Sequence, residues 1–306
     1  MSLVSALKSP GPNGFGYGST AEEVTAGVDL TGKTYLLTGS ASGLGLETLR
    51  VLSLRGAHVI ATARTEKNAA QAIAMAKANG TPIACELTEP ESVRAAAAAV
   101  KRLGRSLDGI ICNAGVMAVA TLRLYHGYEM QFFTNHVGHF ILVTGVLDAL
   151  APAGRVVVLS SDAHRMAPPE GIQLDNLDGS RGYSPWRAYG QAKLANLLFA
   201  RQLSKRFAGT KRTANSVHPG VIRTNLGRHM SPVMRAAMVV GGPIFLKTTA
   251  QGAATQCYVA ANPQAAQYNG LYFADCNPAR PSRKAQDDEL ASRLWKVTEE
   301  IVAKVG

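Results

Sequence analysis

Short runs of apolar or β-branched residues recur along the chain without strict alternation. They cover 34–37, 58–62, 83–85, 109–112, 155–159, 213–217 and 271–273. Strands apolar on both sides are those covered on both faces, as in a parallel sheet. Between them, apolar positions return at helical spacing over 44–54, 67–78, 90–103, 122–150, 185–207 and 248–260, with a last stretch over 287–303. Strands alternating with helices imply right-handed crossovers. The pattern predicts an α/β fold: a single doubly wound parallel sheet of about seven strands with helices on both faces. Residues 1–30 precede the first strand and read as an N-terminal arm, with 31–306 as one domain. The alanines at 95–99 fill a helix, and no internal repeat is seen.

Composition narrows the class. Of 306 residues, 46% are hydrophobic, which suits a large core, and no apolar run reaches the length of a membrane span. The first nineteen residues are rich in Gly, Pro and Ser and lack a charged segment followed by an apolar one, so neither a secretion signal nor an integral membrane segment is expected. Cys85, Cys112, Cys257 and Cys276 are far apart, which points to a reduced cytoplasmic protein without structural zinc. The net charge is +11. Its densest basic run, Arg201, Lys205, Arg206, Lys211 and Arg212, ends a predicted helix, where cations complement the macrodipole. Few aromatics are interleaved, so a solvated face is expected rather than a nucleic-acid surface.

The first predicted strand ends in Thr38-Gly39-Ser40-Ala41-Ser42-Gly43-Leu44-Gly45. A backbone that turns off a strand, approaches a pyrophosphate and opens a helix needs glycine at such places. Gly39 would make the turn, Gly43 would allow close approach, and Gly45 would let helix and strand pack. The string T-G-x-x-x-G-x-G resembles the cofactor motif of the short-chain dehydrogenase/reductase family. The resemblance implies a Rossmann-like sheet and a nicotinamide cofactor held by the loop from Gly39 to Gly45, including Ser40, Ser42 and Leu44. An acidic residue at the end of the second strand would bind the ribose of NAD, whereas arginine suits a 2′-phosphate. Ala63 holds that position and Arg64 follows, so NADP(H) is the expected cofactor.

Tyr189 and Lys193 stand four apart in a helical stretch, hence on one face. A neighbouring ammonium favours the phenolate, so the pair can serve as an acid/base unit. Other roles follow from the resemblance. It makes Ser161 the serine that orients the substrate oxygen, with Ser160 beside it. It makes Asn135 the residue that holds a relay water, and it places Lys193 on the nicotinamide ribose. It also assigns Asn113, Ala114 and Gly115 to the cofactor, with Cys112 where the family often has a further Asn. Glu86 and Leu87 lie by the adenine, and Pro219, Gly220, Val221 and Thr224 lie around the carboxamide. His136 and His139 read as helix-packing residues. The strings around Asn135, Lys193 and His218, and the long gap from Ser161 to Tyr189, resemble the branch of retinol dehydrogenases, WW-domain-containing oxidoreductases and protochlorophyllide reductases.

The expected activity is hydride transfer between NADP(H) and a carbonyl or alcohol carbon of a small molecule. The alternative is a non-catalytic NADP-binding sensor or interaction module on the same fold. Segments 163–186 and 226–243 would cover the substrate, with Ser161, Trp186 and Met230 as contacts. Their apolar residues suit a bulky lipophilic substrate, or equally the packing of a lid. No G-x-S-x-G elbow is present, so His164 beside Asp162 does not suggest a hydrolase triad. His126, His136 and His139 lack the further ligands of a metal site. Homo-oligomerisation stays open.

Overall fold

The computed structural model describes residues 8–222 and 246–306. The elements are β1 (Thr34–Thr38), α1 (Gly43–Leu54), β2 (His58–Ala63), α2 (Glu66–Ala76), β3 (Gly80–Ala84), α3 (Pro90–Arg102) and β4 (Leu107–Cys112). A small hairpin of β5 (Leu124–Tyr125) and β6 (Tyr128–Glu129) follows, then α4 (Gly138–Val146), β7 (Leu150–Leu159), α5 (Pro185–Arg206) and β8 (Thr213–His218). The chain continues with α6 (Thr249–Ala261), β9 (Tyr272–Ala274), β10 (Asn277–Ala279) and α7 (Asp288–Lys304).

Among the described residues, eight strands form one sheet in the order β10-β9-β8-β7-β4-β1-β2-β3. All neighbours are parallel except β9 and β10. The seven expected strands are present. The eighth, β10, has the sequence Asn-Pro-Ala and offers no apolar run. Its Pro278 stands at the sheet edge, where a missing N–H is tolerated. The winding reverses between β1 and β4, and the carboxyl ends of strands open a crevice at such a switch point.

Neighbouring residues of one strand serve different cores. Leu36, Ile60, Ile110, Val156 and Val158 pack with α3, α4, α5 and α7. Leu37, Val59, Ala61, Ile111 and Val157 pack with α1, α2 and α6. This division follows from the period of two along a strand.

The predicted helix over 122–150 is corrected. Its first part is the β5–β6 hairpin, because His126 and Gly127 both take positive φ, 52° and 84°, as a tight two-residue turn requires. Helix begins at Met130, where Glu129 accepts a hydrogen bond from the Phe132 amide. Phe133–Val137 is then π-helical before α4. Apolar content over the whole stretch hid the turn. The N-terminal arm is a strap over its described part. Ala21 and Val24 are fully buried. The Asn262 side chain donates to Val24 O (2.7 Å) and Asn13 to Cys276 O (2.7 Å). The basic run is partly paired: Arg201 and Lys205 share Asp288 of α7, and Arg206 lies 3.9 Å over the Trp295 ring. Among the described residues no helix is long and apolar enough to cross a membrane.

Candidate active site

The glycine turn runs from the end of β1 into α1. Gly39 has φ +69°, and a Cβ there would stand 2.9 Å from Ala114 Cα. A Cβ on Gly45 would fall on the Gly39 carbonyl oxygen. Helix, turn and strand therefore meet with no room for a side chain. Gly43, at φ +55°, opens α1, and Ser42 at the N-cap makes no side-chain cap. The first amides of α1 thus lack a side-chain acceptor, the state in which a helix N-terminus receives an anion. Leu44 is buried in the core beneath. Ser40 is also buried, and both its amide and its hydroxyl donate to Thr62 O, each at 3.0 Å. Ser40 therefore stands as a strut between the turn and β2.

Ala63 ends β2 and is buried. Arg64 is exposed and pairs with no carboxylate among the described residues. Thr65 then caps α2 by accepting from the Asn68 amide. Beyond β3, the Glu86 carboxylate is engaged in its own turn, accepting from the Thr88 amide and hydroxyl. Leu87 is buried and its carbonyl abuts Gly138.

The end of β4 is stitched to the glycine turn. The Asn113 side chain donates to Thr38 O (2.8 Å) and Gly39 O (3.3 Å). The amides of Asn113 and Ala114 both donate to Thr38 Oγ1, at 2.9 and 3.0 Å. Asn135 sits in the π-helical stretch facing this corner. Its Oδ1 accepts from the Val116 amide (2.8 Å) and its Nδ2 donates to Val116 O (2.9 Å). Gly115 lets it approach, since a Cβ there would lie 2.9 Å from Asn135 Oδ1. Cys112, fully buried, contributes packing alone, and burial pushes its thiol upward.

Tyr189 and Lys193 lie one turn apart on α5, both buried. Lys193 Nζ donates to Leu159 O (3.0 Å) and stands 5.7 Å from the Tyr189 ring centroid. Ser160 is turned inward and donates to Lys193 O (2.7 Å), which ties α5 to the end of β7. The Ser161 hydroxyl stands close enough to the Tyr189 hydroxyl to favour the phenolate. The ammonium was expected to lower the phenol, but burial dominates. It pushes Tyr189 up to about 12, with the Ser161 hydroxyl opposing, and Lys193 down to about 8. Trp186 packs edge-on against Tyr189, ring centroids 6.1 Å apart. Pro219, Gly220 and Val221 follow β8, and Val221 O accepts from the Lys247 amide (2.9 Å). Thr224, Met230 and the segment 226–243 lie outside the described residues.

Tyr272, Lys247, Asp275 and Ser282 were not singled out from sequence, though they support Asp162, His164, His218 and Gly220. Asp162 accepts from Tyr272 (2.9 Å), and its amide donates to His218 Nδ1 (3.3 Å), which braces β7, β8 and β9 at the crevice. Lys247, itself buried, pairs with Asp275 (2.7 Å) beneath Gly220. His164 donates from Nδ1 to Ser161 O (2.7 Å), since its Nε2 accepts from the Ser282 amide. It holds the loop, in keeping with the absence of an esterase elbow. The one usable sequence signal was the i, i+4 spacing of Asn135 and His139.

His136 packs among Phe132, Phe140 and Phe199. Burial moves His139 to about 4 and His136 to about 3 from 6.5. The folded state then binds fewer protons than the unfolded chain below 6.5. Stability from these groups is complete above that value and is lost as pH falls through the folded values. The expected slope is up to about 1.4 kcal/mol per pH unit for each histidine. Urea denaturation between about pH 7 and 5, above the usual carboxylate range, measures it. His136→Phe should shrink the slope, and a flat profile would contradict two neutral buried imidazoles.

Comparison with known proteins agrees with this geometry. The model of the short chain dehydrogenase family matches residues 33–234. Short-chain dehydrogenase TIC 32 A, chloroplastic, from Brassica napus is 42% identical over 307 residues, covering 95% of each chain. Retinol dehydrogenase 14 from Homo sapiens is 35% identical, over 89% of this chain and 86% of that one. A crystal structure of an uncharacterized protein from Mycobacterium Paratuberculosis superposes with TM-score 0.74 at 32% identity, covering 92% of this chain and 97% of that one. On sequence motif, sheet order and these relatives together, the chain belongs to the short-chain dehydrogenase/reductase family, in the branch that contains the retinol dehydrogenases.

Proposed function

We propose that the protein is an NADP(H)-dependent oxidoreductase acting between a carbonyl and an alcohol, with Tyr189 as acid/base. One observation carries this reading: a Cβ on Gly115 would stand 2.9 Å from Asn135 Oδ1 and 3.6 Å from Lys193 Nζ, with Tyr189 one turn from Lys193 on α5 and Ser161 just past β7. The turn fits a dinucleotide. Gly39 and Gly45 let turn, helix and strand pack without side chains, so the backbone itself forms the surface, and Ser42 at the α1 N-cap makes no side-chain cap. The small Ala63, and Arg64, which meets no carboxylate among the described residues, suit a 2′-phosphate.

The bound nicotinamide supplies or accepts the hydride. In reduction, Tyr189 gives its proton to the substrate oxygen and Ser161 orients that oxygen. Lys193 holds the ribose and, with a water on Asn135, restores the proton. Burial keeps Tyr189 protonated at neutral pH, so the site as built is poised as an acid. In oxidation the Lys193 ammonium must stabilise the phenolate, which it does best below its own value of about 8.

The substrate we propose is bulky and lipophilic. Trp186 stands against Tyr189, and Met166 and Val221 expose 46% and 57% of their surface. Solvent-facing apolar side chains around a polar centre suit such a ligand. The four free, buried cysteines suit a reducing compartment, and we assign the protein to the cytoplasm on that ground.

Kinetics with both cofactors test the NADP(H) assignment. Arg64→Ala should cut kcat/KM for NADP(H) by about 10- to 100-fold, the worth of one charged hydrogen bond, and leave NAD(H) nearly unchanged. Equal or better use of NAD(H) by the unaltered protein would overturn the assignment.

A further inference from the structure

We propose that His139 is a positioning residue: it orients the Asn135 carbonyl for proton relay and couples it to the cofactor turn. The proposal rests on the acid/base reading of Tyr189 given above. His139 is fully buried on α4. Its Nε2 lies 2.8 Å from Thr38 Oγ1 and its Nδ1 lies 2.9 Å from Asn135 O.

The proton positions on this bridge follow from counting donors. A hydroxyl has one hydrogen and two lone pairs. Both lone pairs of Thr38 Oγ1 are taken by the amides of Asn113 and Ala114. Its single hydrogen can go to His139 Nε2 at 2.8 Å or to Ile111 O at 3.5 Å, and the shorter contact wins. Nε2 is therefore the acceptor, Nδ1 carries the proton, and Nδ1–H donates to Asn135 O. A second proton on the ring would meet an oxygen with no free lone pair. It would also add charge near the Lys193 ammonium, the charged group that acts on His139.

This fixes what is left of Asn135. Its side chain is spent in both directions on Val116. Its carbonyl has two lone pairs, one engaged by His139. The other is where the proposed relay water would sit, at an angle set by the imidazole. The π-helical turn over Phe133–Val137 shifts the backbone ladder by one residue here, a distortion that recurs at functional sites. Because Thr38 immediately precedes Gly39, the chain Gly39–Thr38–His139–Asn135 joins the cofactor turn to the relay. A histidine that only filled space would need neither contact.

The test compares His139→Phe, which keeps a flat ring without donors, with His139→Asn, whose amide can still donate to the Asn135 carbonyl. His139→Phe should lower kcat for carbonyl reduction by about tenfold or more, the kinetic equivalent of a lost hydrogen bond. The Kd for NADPH, read by nicotinamide fluorescence, should stay within about twofold of the unaltered protein, and the solvent isotope effect on kcat should rise because proton return becomes slower. His139→Asn should recover part of the loss. An unchanged kcat and isotope effect in His139→Phe would overturn the proposal. Should that variant not fold, nitrogen NMR of the unaltered protein decides: the Nδ1–H tautomer at neutral pH is expected, and an Nε2–H or charged ring would overturn it. Tyr189→Phe is measured alongside. Near-normal turnover there would defeat the acid/base reading itself, whereas a dead Tyr189→Phe beside a normal His139→Phe would defeat this proposal alone.

Discussion

Tyr189→Phe is expected to lower turnover by roughly 10²–10⁴-fold, the scale of a lost general acid. The ring is buried and packs edge-on against Trp186, and phenylalanine keeps both features. The hydroxyl has Ser161 as its polar neighbour, and Ser161 is half-buried and can turn to water. Folding should therefore survive. NADPH binding should also survive, because the glycine turn and Arg64 are on other elements. Steady-state kinetics on the folded variant, with NADPH titration as control, give the result. Near-normal turnover would make the Tyr189–Lys193 pair ordinary helix packing and would place the proton donor elsewhere.

Gly45→Ala is expected to act on binding before chemistry. The added methyl would fall on the Gly39 carbonyl oxygen and lie 2.7 Å from Asn113 Nδ2. Neither neighbour is the free end of a long side chain. Either α1 must back away from β1, or the Gly39 turn must flip and lose its bonds from Asn113. Overpacking of this kind costs about 1–3 kcal/mol or more in stability. Loss of one charged hydrogen bond from the turn to the pyrophosphate would weaken cofactor affinity by about 10- to 100-fold. Thermal unfolding and NADPH titration measure the two effects. A variant that binds NADPH normally would mean the pyrophosphate does not rest on this turn.

The parts of the fold with a local cause were legible from sequence. The parallel strands read as short apolar runs, and the helices between them, except the one expected over 122–150, ended within one or two residues of expectation. Reading failed where tertiary context set the conformation. Asn277, Pro278 and Ala279 pair only because β9 offers an edge, and nothing local marks them as a strand. The β5–β6 hairpin turned on His126 at positive φ, which few side chains adopt and no apolar pattern reveals. The candidate site was legible as motifs, because a turn, a helix face and a strand end each leave a short signature. Its supporting shell was not. Thr38 and Asn113 stand far apart in sequence and meet only because β1 and β4 are neighbours in the sheet. The direction of the Tyr189 shift likewise depended on burial, which spacing alone cannot supply.

The partition between the two cores has a consequence for how the protein tolerates change. Leu44, Leu49 and Leu52, beneath the glycine turn, belong to one core, while Phe132, Val137, Leu194 and Leu198, beneath the acid/base groups, belong to the other. The part that would grip the cofactor and the part that would move the proton thus stand on separate foundations, with the sheet as the wall between them. A resized side chain under α1 disturbs the grip and leaves the proton path at rest; one under α5 does the reverse. The two meet along a narrow seam at the strand ends, where Thr38 touches His139 and Asn113 reaches Gly39. Affinity and turnover can therefore drift separately through the cores, and Thr38 and Asn113 at the seam are where one substitution would reach both.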